Sequence, residues 1–252
     1  MRLNYGEIFQ EKSKDKMMDG LVNVPIDSTL WPDAWKIVEY KEYERFASIK
    51  LPTSISKDIS NQEMTKRRSF RGFLSADKNK KISLQDFSDI IYYSCGEVFK
   101  SVDGKSNRRV QASAGSRYPL ELYILNFKEG DLNKKCYHYN VKNHTLEELW
   151  SVEVENKIDI NKYFTYEWSQ GAECAIVLTA IPSRSTRKYG ERGYKYLYLE
   201  AGAILQSIQN NAFIRNVGSV IMGGTNEKAI EDLLDLDGVR ETVVLSILLG
   251  KK

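Results

Sequence analysis

The chain has 252 residues, 42% hydrophobic and 28% charged, enough for one sizeable core. Lysine plus arginine number 37 against 34 acidic residues, a balance that argues against a nucleic-acid groove or a polybasic membrane face. Three scattered cysteines, Cys95, Cys136 and Cys174, form no CxxC pair, which predicts reduced thiols and neither a disulfide framework nor a metal site. The leading residues MRLNYGEIFQEKSKDK lack an apolar signal core, and no apolar run is long enough to span a bilayer. The expectation is a cytoplasmic protein that binds neither nucleic acid nor membrane.

Residues 1–60 carry Pro25, Pro32 and Pro52, scattered charge and no sustained periodicity, so they read as an extended arm with short helices. The arm ends near residue 60, and residues 61–252 form the folded domain. A helix is predicted from Ser83, with Ser83 and Asp86 as a cap pair, Leu84, Phe87, Ile90 and Ile91 on one face, and Gly96 closing it. LELYILNF (120–127) and CYHYNV (136–141) read as strands, and the wholly apolar CAIVLTAI (174–181) as a central one. Leu197, Ala201, Ile204, Leu205, Ile208 and Ala212 recur at helical spacing, predicting a helix over about 194–213. SVIMGG (219–224) follows as a strand. Asn226 caps a short helix through Leu234, and TVVLSILLG (242–250) is the last strand. Strands and helices alternate without a βαβ rhythm, which favours an α+β sheet flanked by helices over a doubly wound fold.

Four segments carry candidate chemistry. Arg67, Arg68, Ser69 and Arg71 put three guanidinium forks and a hydroxyl within five residues, which suits a phosphate, although a solvated basic loop has the same composition. Arg109 precedes Ser113-Ala114-Gly115-Ser116, a run of small residues that would let backbone approach a flat ligand or simply make a turn. Gly223-Gly224 ends a strand and has the same two readings. Lys251, next to the last residue, could complete a phosphate site. The stretch 77–86 superficially resembles a calcium loop, but Lys81 stands among its ligands, Ile82 where glycine is required and Ser88 where a bidentate glutamate is required. No metal is expected. His138 and His144 lack a nucleophile arrangement and read as structural.

The order of these segments is more specific than any one of them. Arg67-x-Ser69-x-Arg71 precedes Arg109, Ser113-Ala114-Gly115, Tyr118-Pro119-x-Glu121-x-Tyr123, Tyr137-His138-Tyr139, Lys188-Tyr189-Gly190-x-Arg192 and Leu199-Glu200-Ala201-Gly202. From about residue 60 onward this resembles the SagB-type branch of the nitroreductase superfamily, the flavin-dependent dehydrogenases of azole-forming peptide biosynthesis. Ala112 stands where that branch usually has proline, and Gln206-Ser207 where it tends to have Gln-Asn.

The resemblance implies a nitroreductase-like three-layer fold with a central, mostly antiparallel sheet, built as an intertwined homodimer with FMN at its interface. The helix near 194–213 would then face the partner copy. It implies FMN contacts from Arg67, Arg68, Ser69, Arg71, Arg109, Ser113, Ala114, Gly115, Ser116, Gly223, Gly224 and Lys251. It makes Lys188 and Tyr189 the proton-transfer pair that turns an azoline into an azole, with a modified precursor peptide as substrate and a cyclodehydratase as a further partner. Burial, together with Arg187 and Arg192, would lower the Lys188 pKa. The runner-up is an FMN-dependent reductase of dehydroamino acids in modified peptides, or of nitro and quinone compounds. A scaffold of a biosynthetic complex, without flavin, is a third reading.

Overall fold

The computed structural model describes residues 28–37, 39–52, 64, 66–73, 81–100, 107–149, 159–164 and 166–252. Most of the predicted arm, residues 1–27 and 53–60, lies outside the described residues, as do residues 77–80 of the rejected calcium loop.

Among the described residues the strands are β1 (Ser48–Lys50), β2 (Glu97–Phe99), β3 (Arg108–Arg109), β4 (Leu120–Asn126), β5 (Cys136–Asn140), β6 (Thr145–Leu149), β7 (Cys174–Ala180), β8 (Val217–Met222) and β9 (Thr242–Lys251). The helices are α1 (Asp33–Lys36), α2 (Leu84–Cys95), α3 (Ile160–Tyr163), α4 (Ser183–Tyr189), α5 (Arg192–Ile214) and α6 (Glu227–Leu234). Seven strands make one sheet in the order β1-β6-β5-β4-β7-β9-β8, every neighbouring pair antiparallel. The apolar run of β7 is central, flanked by β4 and β9, and buried at all seven positions.

Alternation along the strands sends side chains to two cores. On one face Leu122, Ile124, Ile176, Leu178, Ile247 and Leu249 pack against α2 and α5. On the other, Leu125, Ala175, Val177, Val220 and Leu248 pack against Phe73, α3 and α6. The result is the expected α+β arrangement of helix, sheet and helix. The caps form where the sequence predicts them. The Asp86 amide donates to Ser83 Oγ at 3.1 Å, and the Ala229 amide donates to Asn226 Oδ1 at 3.2 Å.

Two differences matter for the site. The stretch around Lys188 is not only a loop but the short helix α4, inserted between β7 and α5. And the apolar stripe of α5, Ile204 included, is covered by its own chain. What α5 leaves outside is Tyr198, 53% exposed, and Leu199, 63% exposed. The described residues contain no helix long and apolar enough to cross a membrane.

Candidate functional site

β4 and β7 pair so that Leu120 faces Ala180. The chain entering β4 and the chain leaving β7 therefore meet at one end of the sheet. The entering segment, 109–119, makes a tight loop in which Gly115, Ser116 and Tyr118 all have positive φ, at 58°, 54° and 45°. Only glycine adopts this region freely, so the loop is strained at Ser116 and Tyr118 and has to be held. Tyr118 is tied at three points. Its amide donates to Ser113 Oγ at 2.9 Å, its hydroxyl accepts from the Arg109 amide at 3.1 Å, and its carbonyl accepts from Arg184 Nη1 at 3.2 Å. The Arg109 guanidinium lies over the rings of Tyr118 and Tyr40, at 4.8 and 5.5 Å, with its Nε buried and without a hydrogen-bond partner.

The exiting segment is α4, and its last turn carries Lys188 and Tyr189. A Cβ built on Gly115 would lie 2.7 Å from Lys188 Nζ and collide with Tyr189 Oη. The small-residue segment and the Lys-Tyr pair, 73 positions apart in sequence (188 − 115), are thus in contact, and glycine at 115 is what allows it. Lys188 is 1% exposed, and among the described residues its Nζ has no hydrogen-bond partner. The amine sits over the face of Trp31, 2.9 Å from the ring centroid, with the Tyr189 ring at 5.4 Å and Trp35 at 6.0 Å. Burial first, then the charge of Arg117, pushes Lys188 down to about 8. The sequence-adjacent arginines are not the cause: Arg187 pairs with Glu39 at 2.6 Å and Arg192 donates to Tyr196 Oη at 2.7 Å.

Glu200, on the first half of α5, reaches the same loop. It is 4% exposed, takes hydrogen bonds from Ser113 and Gln111, and is pushed up to about 7 by burial, against those bonds and the charges of Arg109 and Arg184. Behind the loop runs a buried ionic chain. Glu147 meets His138 Nδ1 at 2.9 Å, Glu121 meets His138 Nε2 at 3.2 Å, and Arg184 closes on Glu121. Burial opposes charge on Glu121, but Arg184 and His138 overcome it and hold the carboxyl down to about 2. His138 shares in holding α4 through Arg184; His144 bridges Ser88 and Tyr139 at 2.9 Å each.

The other candidate residues lie elsewhere. The Phe70 amide donates to Ser219 of β8 at 2.9 Å, which lays segment 67–73 along the free edge of that strand. Arg68, Ser69 and Arg71 are exposed there, Arg71 over the Trp168 ring at 5.7 Å, and Arg67 has a buried, unpartnered Nη1. Ser219 pairs with Leu249 and Leu249 with Cys174, the first residue of β7. Lys251 is at the same end, its amide on Glu173 at 2.7 Å and its Nζ on Asp86 at 3.3 Å. The cationic cluster and the Gly115–Lys188 cluster therefore occupy opposite ends of the sheet, separated by the length of β7, about 20 Å. Gly223 and Gly224 follow β8, and a Cβ at Gly223 would meet nothing within 4 Å among the described residues.

The pattern that defines the nitroreductase family matches residues 64–251. The chain belongs to the nitroreductase family. A Methanocaldococcus jannaschii protein named as a nitroreductase is 25% identical over 189 residues, covering 75% of this chain and 89% of that one. The microcin B17-processing protein McbC of Escherichia coli is 23% identical over 189 residues, covering 73% and 68%. Among solved structures, a nitroreductase-like chain from Anabaena variabilis superposes with a TM-score of 0.71 at 22% identity, over 98% of this chain and 46% of that one. This chain thus spans about half of the Anabaena variabilis chain. The Escherichia coli microcin synthetase McbBCD complex, with truncated pro-MccB17 bound, superposes with a TM-score of 0.61 at 19% identity, over 98% and 91%. The chain is a nitroreductase-fold oxidoreductase, and the family is FMN-dependent; relatives of this fold from Desulfovibrio desulfuricans and Exiguobacterium sibiricum hold FMN.

Proposed function

We propose that this nitroreductase-family protein is an FMN-dependent dehydrogenase that oxidises thiazoline or oxazoline rings to azoles in a ribosomally made peptide. The observation that carries the reading is Lys188: an amine buried against Gly115 beside Tyr189, unpartnered, and titrating at about 8. Removing a proton from carbon needs a positioned base whose pKa lies near working pH, and an ordinary lysine near 10.4 is too protonated to serve. Tyr189 lies against the same Gly115 and edges Tyr196 at 4.9 Å, which orients it as the relay or positioning partner. The similarity to McbC, a microcin-processing protein, supports a peptide substrate.

The residues present fit FMN. When bound, FMN supplies the hydride acceptor. The exposed Arg68, Ser69 and Arg71, with the orphaned Nη1 of Arg67, suit a single phosphate, and the positive-φ loop at Ser113–Ser116 offers close backbone approach. Gly223, Gly224, Arg109 and Lys251 belong to the same proposed set. Because these groups are divided between the two ends of the sheet, a second copy that brings its Gly115 end to this copy's arginine end would complete the site. That supports a homodimer with FMN between the copies, and Tyr198 and Leu199 give α5 an apolar face to meet it. A cyclodehydratase is the further partner.

The test uses purified protein with FMN and an azoline-bearing peptide. Mass spectrometry should show the loss of two hydrogens per ring. Lys188→Ala and Lys188→Arg should keep the flavin and lower turnover by about 10²–10⁴, since arginine cannot act as a base. An unaltered peptide, with NAD(P)H bleaching the flavin and dehydroamino acids or quinones being reduced, would transfer the assignment to the reductase.

A further inference from the structure

Between α1 and α4 lies a narrow cleft, largely filled by the residues that line it. Its α4 side is strongly cationic, presenting Arg117, Arg184, Arg187 and Lys188, and the segment opposite supplies one carboxylate, Glu39. That segment holds to the cleft in three ways. The face of Trp31 lies over the buried Lys188 amine. Arg117 Nη1 donates to the backbone carbonyls of Ala34 and Ile37, at 3.5 and 3.2 Å. Glu39 lies 2.6 Å from Arg187 and 3.6 Å from Arg184 Nε, an atom that makes no hydrogen bond.

Each contact is one that a bound peptide could make: a flat ring at the base, main-chain carbonyls on an arginine fork, and a carboxylate between two guanidinium groups. Much of the segment is nonetheless exposed. α1 has four residues and none is buried, Glu39 is 41% exposed, and Ile37 faces solvent. Meanwhile the amine that must meet a substrate carbon is covered by Trp31.

We infer that this cleft is the substrate site for a peptide bearing a flat ring close to an acidic residue, and that residues 31–37 and Glu39 occupy it until the peptide displaces them. The inference rests on the azoline-peptide reading for the ring, and on the arginines for the acidic neighbour. Glu39 and Trp31 are then stand-ins for the substrate's carboxylate and ring. With Arg184 already on Glu121, Arg117 and Arg187 against Glu39 still leave the cleft net positive, which predicts that an acidic peptide is preferred over a neutral one.

The experiment measures binding without turnover, by fluorescence anisotropy on the FMN-loaded full chain. Two labelled peptides carry the same thiazole, one with a neighbouring Glu and one with Gln. The Glu peptide should bind more tightly to the wild type. Glu39→Gln removes an exposed pair and should tighten binding of the Glu peptide about twofold to fivefold. Trp31→Ala should tighten both peptides. Arg187→Glu should weaken the Glu peptide selectively. Equal affinity for the two peptides would overturn the acidic subsite, and unchanged or weaker binding in both Glu39→Gln and Trp31→Ala would overturn displacement. Neither result depends on ring oxidation. Turnover of azolines without displacement would sink this inference alone, and displacement without turnover would sink the dehydrogenase reading alone.

Discussion

Glu200→Gln is the sharpest test of the electrostatics around the strained loop. Glu200 is buried on α5 among Gln111, Ser113, Arg109 and Arg184, and burial raises its carboxyl from 4.5 to about 7. A carboxyl raised in the folded state favours the fold in its protonated form. Its contribution is neutral below about pH 4.5, where folded and unfolded chains both carry the proton. The penalty grows between about 4.5 and about 7 and is complete above that. The difference corresponds to about 3 kcal/mol of lost stability once the group is ionised. Glutamine keeps the shape, removes the charge and can donate to Gln111 Oε1, which is buried without a partner. Wild type and variant should therefore melt together at pH 4.5. At pH 8 the variant should melt higher by about 6–12 °C, taking about 2–4 °C per kcal/mol for a chain of this size. Melting at fixed FMN concentration, followed by circular dichroism at both pH values, reads this directly. A gap that is the same at pH 4.5 and pH 8 would show that Glu200 is not ionising against burial, and the account of the loop's support would fail.

Gly115→Ala should separate geometry from stability. The positive φ costs about 1–2 kcal/mol, while the new Cβ forces Lys188 and Tyr189 to move, and a displacement of that order lowers kcat by about 10²; a variant with parental kcat would mean the pair does not act where it sits. The proton-abstracting step should rise with pH through about 8 and level off above it, because Lys188 is a base only when neutral. A kcat profile with no inflexion near 8 would remove Lys188 from that role.

Much of the fold is legible in the sequence because it rests on local signals. The apolar run of β7, broken only by Thr179, has no soluble alternative to a central strand, and Ser83 and Asn226 cap the helices they precede. α4 is less legible. SRSTRKY has no apolar periodicity, and the helix is held by Arg184 to Glu121 and by the Ser185 backbone packed on Gly193, contacts made by chain folded around it. β6 is also missed, since TLEEL carries two glutamates and one of them, Glu147, is buried because His138, Asn140 and the Tyr43 amide meet it. In the candidate site, sequence order finds Lys188, Tyr189 and Gly115 but not their contact. Arg117 acts on Lys188 from 71 positions away (188 − 117), whereas the charge of Arg187, its neighbour in sequence, is taken up by Glu39. Glu200 did leave a signal: it is a lone carboxylate flanking Leu197, Ala201 and Ile204 on an apolar stripe, where a charge is costly without a purpose.

The position of Lys188 within α4 bears on what that amine is for. It lies in the last turn, where the helix terminus favours a positive charge. A lysine placed there to hold an anion or strengthen the helix would stay protonated and would normally be paired. Here the available carboxylate, Glu39, goes to Arg187 and Arg184, and Lys188 is left with aromatic faces and a nearby guanidinium. Burial and Arg117 together outrun the helix end and bring Lys188 down to about 8, within reach of neutral pH. Strain in the 113–118 backbone, tied down by Ser113, Arg109 and Arg184, keeps Gly115 against that amine. The fold thus sustains an unpaired lysine, a strained loop and a raised carboxyl within one region, three costs that structural packing alone does not require. Under the proposed function, a base brought within reach of neutral pH would account for the unpaired lysine and for the strained loop that holds Gly115 against it.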